Sequence, residues 1–301
     1  MSVQYYTIGI STHNNLNYLK LCIDSVLKNS FYKDQPILIY AEGCTDGTDE
    51  WLESSEVVDN KQIAIIIKPE RWNDKYWGIG GGLNLMAENC KTEYFLPLHS
   101  DMYVGYHFDK ELLKLCIENP KSIISSYRAE PDVFKNITDG SRTKVLRVGT
   151  TAYAIDVFGH LYSNFNNSKF TEYSKQFQLL NDNEYRKGEG AGGFMIRTED
   201  WIVNDPLFAP ASMDDMDMFI RSQMKDYKFI LTSKSLIWHF GARSSHFPTD
   251  DFTKTSEKQQ QREQSNAKKW LTKWNKMPEN DNMDFVSSKG MKIIDDTNEY
   301  R

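Results

Sequence analysis

Short apolar runs alternate with amphipathic segments over the first hundred residues of the chain. The runs at residues 6–10, 36–40, 63–67 and 94–98 predict four buried strands. After the first run, apolar side chains recur at helical spacing and predict a helix capped by Asn14 or Asn15: Leu16, Leu19, Ile23, Val26 and Leu27. Apolar strands joined by helices predict a parallel sheet that is covered by helices on both faces.

A glycine-rich segment, Gly78-Ile79-Gly80-Gly81-Gly82-Leu83, lies between the third and fourth predicted strands. It does not match the dinucleotide-binding pattern G-x-G-x-x-G, because position 83 is leucine and the segment does not follow the first strand. We interpret it as a flexible turn or a close approach of two backbone segments, followed by a helix at residues 83–90.

The pattern becomes mixed after residue 101. Helices are predicted at 109–119 and 212–225, and strands at 123–126, 229–231 and 235–239, whereas residues 128–188 show no clear periodicity. The helix at 212–225 is expected to bury Met216, Phe219, Ile220 and Met224. The charged, glutamine-rich tail contains Trp270, Leu271 and Trp274, which predict a helix that docks through its rings. We therefore divide the chain into two halves of one domain, residues 1–105 and 106–248, and a helical tail at residues 249–301.

Composition and charge narrow the class of protein. The chain has 301 residues, of which 40% are hydrophobic and 26% charged, as in ordinary globular proteins. Its net charge of −6 argues against nucleic acid as a partner. No apolar stretch of the sequence is long enough to span a membrane, and the first six residues lack the basic and apolar blocks that are typical of a signal peptide. The four cysteines are scattered without a C-x-x-C pair. We expect a cytoplasmic protein, with peripheral attachment to a membrane left open.

The first candidate for chemistry is Asp101, which follows the fourth predicted strand. Ligands of parallel sheets bind beyond the carboxyl ends of the strands, where a carboxylate can hold a divalent cation that neutralises a leaving diphosphate. Taken alone, however, an aspartate at this position is more simply interpreted as the cap of a turn.

Two further groups of polar residues could complete such a site. Asp214, Asp215 and Asp217 begin a predicted helix, where acids favour the helix dipole, but one of them could face a cleft as a general base. Asp217 and Arg221 have the spacing of a surface ion pair. His239 and Arg243 follow an apolar strand, so they could reach a metal ion and a diphosphate, although a histidine at a strand end is more often structural.

The order of these motifs resembles that of the family 2 glycosyltransferases, the large inverting group with the GT-A fold. Residues 7–14, Thr-Ile-Gly-Ile-Ser-Thr-His-Asn, are similar to the family's apolar strand ending in Pro-Thr-Tyr-Asn, and residues 41–48 resemble its Asp-Asp-Gly-Ser-x-Asp-Gly-Thr. Residues 82–84 and 93–101 parallel its Gly-x-Asn, Glu-Tyr-Ile and Asp-x-Asp segments, and the acids at 214–217 with His239 complete the second half. The resemblance runs from residue 7 to about residue 243.

This resemblance implies a GT-A-type, Rossmann-like sheet with a mixed acceptor-side half, and an enzyme that transfers sugar from a UDP-, GDP- or dTDP-sugar to a glycan or other hydroxyl acceptor. It implies the following site residues: Asp215 as catalytic base; Thr12 and Glu42 in the nucleotide-base pocket; Asn84, Asp101 and Arg243 at the nucleotide sugar; Asp101 and His239 at a divalent metal, Mn²⁺ or Mg²⁺; and Asp214, Trp238 and the aromatic loop at residues 72–77 on the acceptor side. Three positions depart from the family pattern. His99 replaces the first acid of Asp-x-Asp, and Ala41 replaces the first acid of the base-pocket pair. Asp214 stands where the family usually has glutamate.

Three alternatives stay open at this stage. A nucleotidyltransferase would need a glycine-rich phosphate loop directly after the first strand, where this chain has Ser-Thr-His-Asn-Asn. A glycan- or nucleotide-binding module with a degenerate site would account for His99 and Ala41. A retaining transferase on the same fold would not require Asp215 as base.

Overall fold

The computed structural model describes residues 4–68, 77–130, 146–148, 151–153, 158–180, 186–187, 193–241, 243 and 256–275. The strands in chain order are β1 (Tyr6–Thr12), β2 (Ile37–Glu42), β3 (Ile63–Lys68), β4 (Tyr94–His99), β5 (Met102–Val104), β6 (Ser122–Glu130), β7 (Leu146–Val148), β8 (Thr151–Tyr153), β9 (Arg186–Lys187), β10 (Phe194–Arg197) and β11 (Lys228–His239). The α-helices are α1 (Leu16–Asn29), α2 (Thr48–Leu52), α3 (Ser55–Val58), α4 (Gly78–Asn89), α5 (Phe108–Glu118), α6 (Asn167–Leu180), α7 (Asp214–Met224) and α8 (Glu257–Trp274).

The strands form one mixed sheet in the order β3-β2-β1-β4-β10-β6-β11-β5, with β7, β8 and β9 paired to this path at its side. The four strands from β3 to β4 are parallel, whereas β10 is antiparallel to both of its neighbours, β4 and β6. Because β10 is antiparallel to both β4 and β6, β6 is parallel to β4. β11 pairs parallel with β6 and therefore also runs in the direction of β4. The sheet and its mixed second half are as predicted.

Hydrogen bonds connect the turn after β2 to the turn after β1 and to the start of α1. The side-chain oxygen of Asn14 accepts a hydrogen bond from the backbone N–H of Thr45 at 2.7 Å, and Asp46 accepts one from the N–H of Leu16 at 2.9 Å. The predicted N-cap of α1 is confirmed at Asn15, although this residue has a left-handed backbone and makes no side-chain cap bond. The side chain of Asp46, from the turn after β2, accepts the N–H of Leu16 at the start of α1 instead.

The glycine-rich segment is helical rather than a flexible turn, because α4 begins at Gly78 and not at residue 83. The predicted close approach is confirmed. A side chain at Gly82 would collide with the ring of Tyr40 on β2, and one at Gly78, whose φ is +77°, would collide with the backbone of Pro210. The missing side chains let the N-terminal half of α4 lie directly on β2 and on the backbone of Pro210.

The buried face of α7 differs from the prediction. Phe219 and Ile220 are buried as expected, but Met224 is 48% exposed, and the buried residues also include Asp217 and Arg221. The Asp217–Arg221 pair, with Nε and Oδ2 2.7 Å apart, is therefore not on the surface as predicted. The reason is tertiary, since α8 packs over this part of α7.

The tail helix α8 docks as predicted, with Trp270 and Trp274 fully buried. The Nε1 of Trp274 donates to Asp217 Oδ1 at 2.9 Å. One further difference concerns β11, which is a single strand with an irregularity between Thr232 and Leu236 where two strands were predicted. Among the described residues, no helix combines the length and apolarity needed to cross a membrane.

Candidate active site

A cavity of about 260 Å³ opens at the carboxyl ends of β1, β4 and β11 and the first turn of α7. The register pairs Ser11 of β1 with His99 of β4, and β11 ends at the same edge with His239 because it runs parallel to β4. The charged or titratable residues that line the cavity include His99, Asp101, Arg128, Asp214, Asp215 and His239. The apolar residues that line it include Leu83, Phe194, Trp201 and Met218.

Two histidines and one carboxylate form a candidate metal site within this cavity. One potential ligand atom from each of His99, Asp101 and His239 lies within 4.8 Å of the others, and Nε2 of His239 is 3.5 Å from Oδ1 of Asp101. The backbone holds Asp101 from the other side: its carbonyl accepts the N–H of Phe240 at 2.9 Å, and its Oδ2 accepts the N–H of Arg243 at 3.0 Å. The end of β11 thus fixes the position of the carboxylate.

The pKa shifts of Asp101 and His99 suit metal binding. Burial by itself raises the pKa of Asp101, but the nearby His239 and His99 and the N–H of Arg243 outweigh it, so the pKa is well below its ordinary value. Burial lowers the pKa of His99, although Asp101 opposes this change. An ionised carboxylate and a neutral imidazole are the forms that coordinate cations. The donor set therefore fits a divalent metal ion.

Asp214 and Asp215 enter the cavity from the first turn of α7. Asp215 is exposed, and its Oδ1 accepts the N–H of Met216 at 2.8 Å. Asp214 is half-buried against the first turn of α4, where a Cβ atom added to Gly80 would lie 2.8 Å from its Oδ2. Burial raises the pKa of Asp214 to about 7, and the neighbouring Asp215 carboxylate adds to the rise. The two acids therefore occupy different environments at one edge of the cavity.

Four of the predicted site residues, Asp101, Asp214, Asp215 and His239, line the cavity, whereas the other five are not among its lining residues. Thr12 is buried and donates to the carbonyl of Asn14 at 2.8 Å. The carboxylate of Glu42 accepts the N–H of Gly78 at 2.8 Å, at the start of α4.

The remaining predicted residues are held in the protein interior. Asn84 accepts the N–H of Asn204 at 2.8 Å and fixes the loop that follows β10. Arg243 contributes its backbone N–H to Asp101, while its side chain donates to the carbonyl of His160 at 2.7 Å. Trp238 is fully buried among aromatic rings, so its side chain faces the core rather than the cavity. Residues 72–76 of the aromatic loop lie outside the described residues.

Sequence reasoning did not identify Arg128, a cation in the cavity wall, or His99 as a potential metal ligand. The strand that carries Arg128 was predicted to end at residue 126, but β6 continues to Glu130. A longer strand assignment would have placed Arg128 at the carboxyl end of β6, on the same edge as His239. His99 could have been recognised from its position two residues before Asp101.

Comparison with known proteins identifies the family and the fold. The model of a family described as Glycosyl transferase family 2 matches residues 7–188. A search of curated protein sequences gives no match. Among solved structures, that of GalNAc-T7 with UDP, GalNAc and Mn²⁺ is similar over 78% of this chain and 43% of that chain, with 11% identity and a TM-score of 0.54.

Two structures of S. aureus TarS 1-349 show a weaker similarity. One covers 78% of this chain and 60% of that chain, with 12% identity and a TM-score of 0.48. The other, in complex with UDP-GlcNAc, covers 79% of this chain and 61% of that chain, with 12% identity and a TM-score of 0.46. The chain spans less than two thirds of the length of each of these structures. Because the family match covers more than half of the 301 residues, the chain belongs to glycosyl transferase family 2, with the GT-A fold and the glycosyltransferase character expected from its motifs.

Proposed function

We propose that the protein transfers a glycosyl group from a nucleoside-diphosphate sugar to an acceptor hydroxyl in the cavity described above. The observation that carries this proposal is that a candidate metal site and two acids border one cavity at the carboxyl edge of the sheet. A diphosphate needs positive charge where it leaves, and an acceptor hydroxyl needs a base where it attacks. The cavity offers groups for both tasks.

Asp101 and His239 would hold a divalent cation, and His99 would complete the donor set. When bound, such a cation stabilises the negative charge that develops on the departing diphosphate. Imidazole ligands suit Mn²⁺ better than Mg²⁺, which prefers oxygen donors and retained water. We therefore expect Mn²⁺ to support activity better than Mg²⁺ does.

Asp215 would act as the base in a direct, inverting displacement. The acceptor oxygen forms a bond to the anomeric carbon, the bond from that carbon to the diphosphate oxygen breaks, and the hydroxyl proton passes to the Asp215 carboxylate. The exposed position of Asp215 at the cavity edge supports this role, since an incoming acceptor can reach it. Asp214, beside it, would contact the acceptor.

The other assignments concern the donor and the acceptor. Thr12 and Glu42 would line the base pocket, and Asn84 and Arg243 would contribute to nucleotide-sugar binding, whereas the core position of Trp238 does not support its expected place on the acceptor side. The donor would be a UDP-, GDP- or dTDP-sugar and the acceptor a glycan or another hydroxyl compound. The structure of GalNAc-T7 contains UDP and Mn²⁺, so UDP-sugars with Mn²⁺ come first in a test.

Release of nucleoside diphosphate from a panel of nucleotide sugars, with acceptor mixtures and Mn²⁺, tests the proposal. We expect wild-type protein to turn over one donor class with an inverted product anomer, and Asp215→Asn to lose at least ~100-fold in kcat while binding nucleotide normally. Asp214→Asn is the matched variant, because it removes the adjacent carboxylate, and we expect it to retain more activity. Full turnover by Asp215→Asn would reject the base, a retained anomer would reject inversion, and nucleotide-sugar binding without turnover would indicate a binding module.

A further inference from the structure

Helix α8 lies outside the segment that the family model matches, yet it packs on the loop that leads into α7. Its side chains contact that loop on both sides of the turn before Asp214. Lys273 Nζ lies 2.5 Å from Asp205 Oδ2 and 2.7 Å from Asp217 Oδ1. Because one acid precedes the turn and the other follows it, α8 spans the turn rather than touching only one end.

Asn266 of α8 is hydrogen-bonded to the backbone of the turn and of the loop before it. Its Nδ2 lies 2.9 Å from the carbonyl oxygen of Phe208, 3.0 Å from that of Ala211 and 3.0 Å from that of Ser212. The two amide hydrogens are thus shared among three backbone acceptors. Asn266 is 1% exposed, so water cannot replace these hydrogen bonds.

The turn needs an external constraint because of its backbone conformation. Ser212 and Met213, the two residues before Asp214, have φ values of +81° and +69°. L-residues rarely adopt this left-handed region, and two in succession persist only where surrounding contacts fix them. Gln259 adds a second contact from α8, since its Nε2 donates to the hydroxyl of Ser212 at 2.8 Å. The hydrogen bonds of Asn266 therefore reach the part of the loop whose left-handed backbone conformation is unfavourable without external contacts.

We propose that Asn266 is a positioning residue, which holds the left-handed turn so that Asp214 and Asp215 face the cavity. Asn266 acts through the backbone and does not touch substrate. The inference rests on the proposed function for the role of the two acids, but the positioning can be measured without it. It makes the C-terminal helix part of the active site, although its sequence lies far from the family motifs.

The test compares Asn266→Ala with Trp270→Phe, measured well below the melting temperature of each. Trp270→Phe weakens the docking of α8 through its packing on Phe208 but leaves the amide of Asn266 in place. Asn266→Asp is a second variant, which keeps the shape of the side chain and removes the amide donor. Two readouts are taken: kcat and donor Kd with the donor found in the panel, and hydrogen exchange of the backbone amides of residues 211–217 without any ligand.

We expect both Asn266 variants to lower kcat by at least ~10-fold, with donor Kd changed by less than about twofold, because a small misplacement of reacting groups has a large effect on rate. Hydrogen exchange of the backbone amides of residues 211–217 should be faster in both Asn266 variants than in wild-type protein. Trp270→Phe should keep kcat within about twofold of wild type despite a lower melting temperature. Equal loss of kcat in Trp270→Phe would overturn the specific role of Asn266, as would unchanged exchange at 211–217. Absence of transfer by wild-type protein would contradict the proposed function alone, because the exchange readout uses no substrate.

Discussion

The close approach of α4 to the candidate active site makes Gly80→Ala an informative substitution. The added methyl carbon would lie 2.8 Å from Oδ2 of Asp214 and 2.9 Å from Cβ of Asn204. Both distances are shorter than real contacts of a Cβ atom, so the carboxylate or the loop has to move. Asn204 is not easily displaced, since it is buried and hydrogen-bonded to Asn84, so the Asp214 carboxylate is the group that has to move.

Two effects of opposite sign determine the stability of this variant. Replacing glycine by alanine in a helix ordinarily stabilises a protein by about 0.5–1 kcal/mol. Overpacking a filled interior destabilises it by about 1–3 kcal/mol. We expect the second effect to win and the free energy of unfolding to fall by about 1 kcal/mol, which lowers the melting temperature by ~2–4 °C for a chain of this size.

Gly82→Ala is the matched control, because it lies in the same helix but its methyl group would meet the ring of Tyr40 rather than Asp214. Thermal unfolding followed by circular dichroism gives the stability of both variants, and nucleotide release gives their kcat. Both should melt earlier, but only Gly80→Ala should also lose kcat at a temperature where it is folded. A Gly80→Ala protein that is more stable than wild type, with unchanged kcat, would refute the close approach of α4 to Asp214.

Two further predictions concern buried charge. Lys273→Met leaves Asp205 and Asp217 without their shared cation in the interior, so the free energy of urea-induced unfolding should fall by ~3 kcal/mol or more. Lys268→Met, at an exposed position of the same helix, should cost less than ~1 kcal/mol, and similar losses in the two variants would contradict the prediction. The second prediction concerns pH: folded protein keeps the Asp214 proton up to about pH 7, whereas the unfolded carboxyl loses it near 3.8. This group therefore contributes stability that is present in acid and is lost as pH rises towards 7, at about 1.4 kcal/mol per pH unit. Relative to Asp214→Asn, wild-type protein should lose stability between about pH 4 and pH 7, and a pH-independent difference would show that Asp214 is not buried as described.

The first half of the fold could be predicted because its signals are local. A strand that is buried on both faces is apolar throughout, and the parallel arrangement then places the residue after each strand at one edge of the sheet. Asp101 and His239 could be named as candidates for the site on this basis, since each follows or ends an apolar strand. Their roles came only from the resemblance to the family.

Features that depend on distant parts of the chain could not be predicted in this way. Helix propensity disfavours glycine, so nothing local indicated that α4 begins at Gly78; its first turn is helical because it packs on β2 and the Pro210 backbone. The Asp217–Arg221 pair has the spacing of a surface pair, and only the docking of α8 buries it. Asp46, as the partner of the α1 N-terminus, likewise comes from a separate turn.

The central claim, that a metal ion at Asp101 binds a nucleotide sugar in this cavity, is tested most directly by thermal shift with nucleotide sugars in the presence of Mn²⁺ or EDTA. A true donor at ~100 times its Kd stabilises the folded protein by about 2.7 kcal/mol, which raises the melting temperature by several degrees. We expect this rise for wild-type protein with Mn²⁺, and we expect EDTA or Asp101→Ala to abolish most of it. Absence of a shift with any nucleotide sugar, or an equal shift for wild type and Asp101→Ala with and without Mn²⁺, would contradict the account.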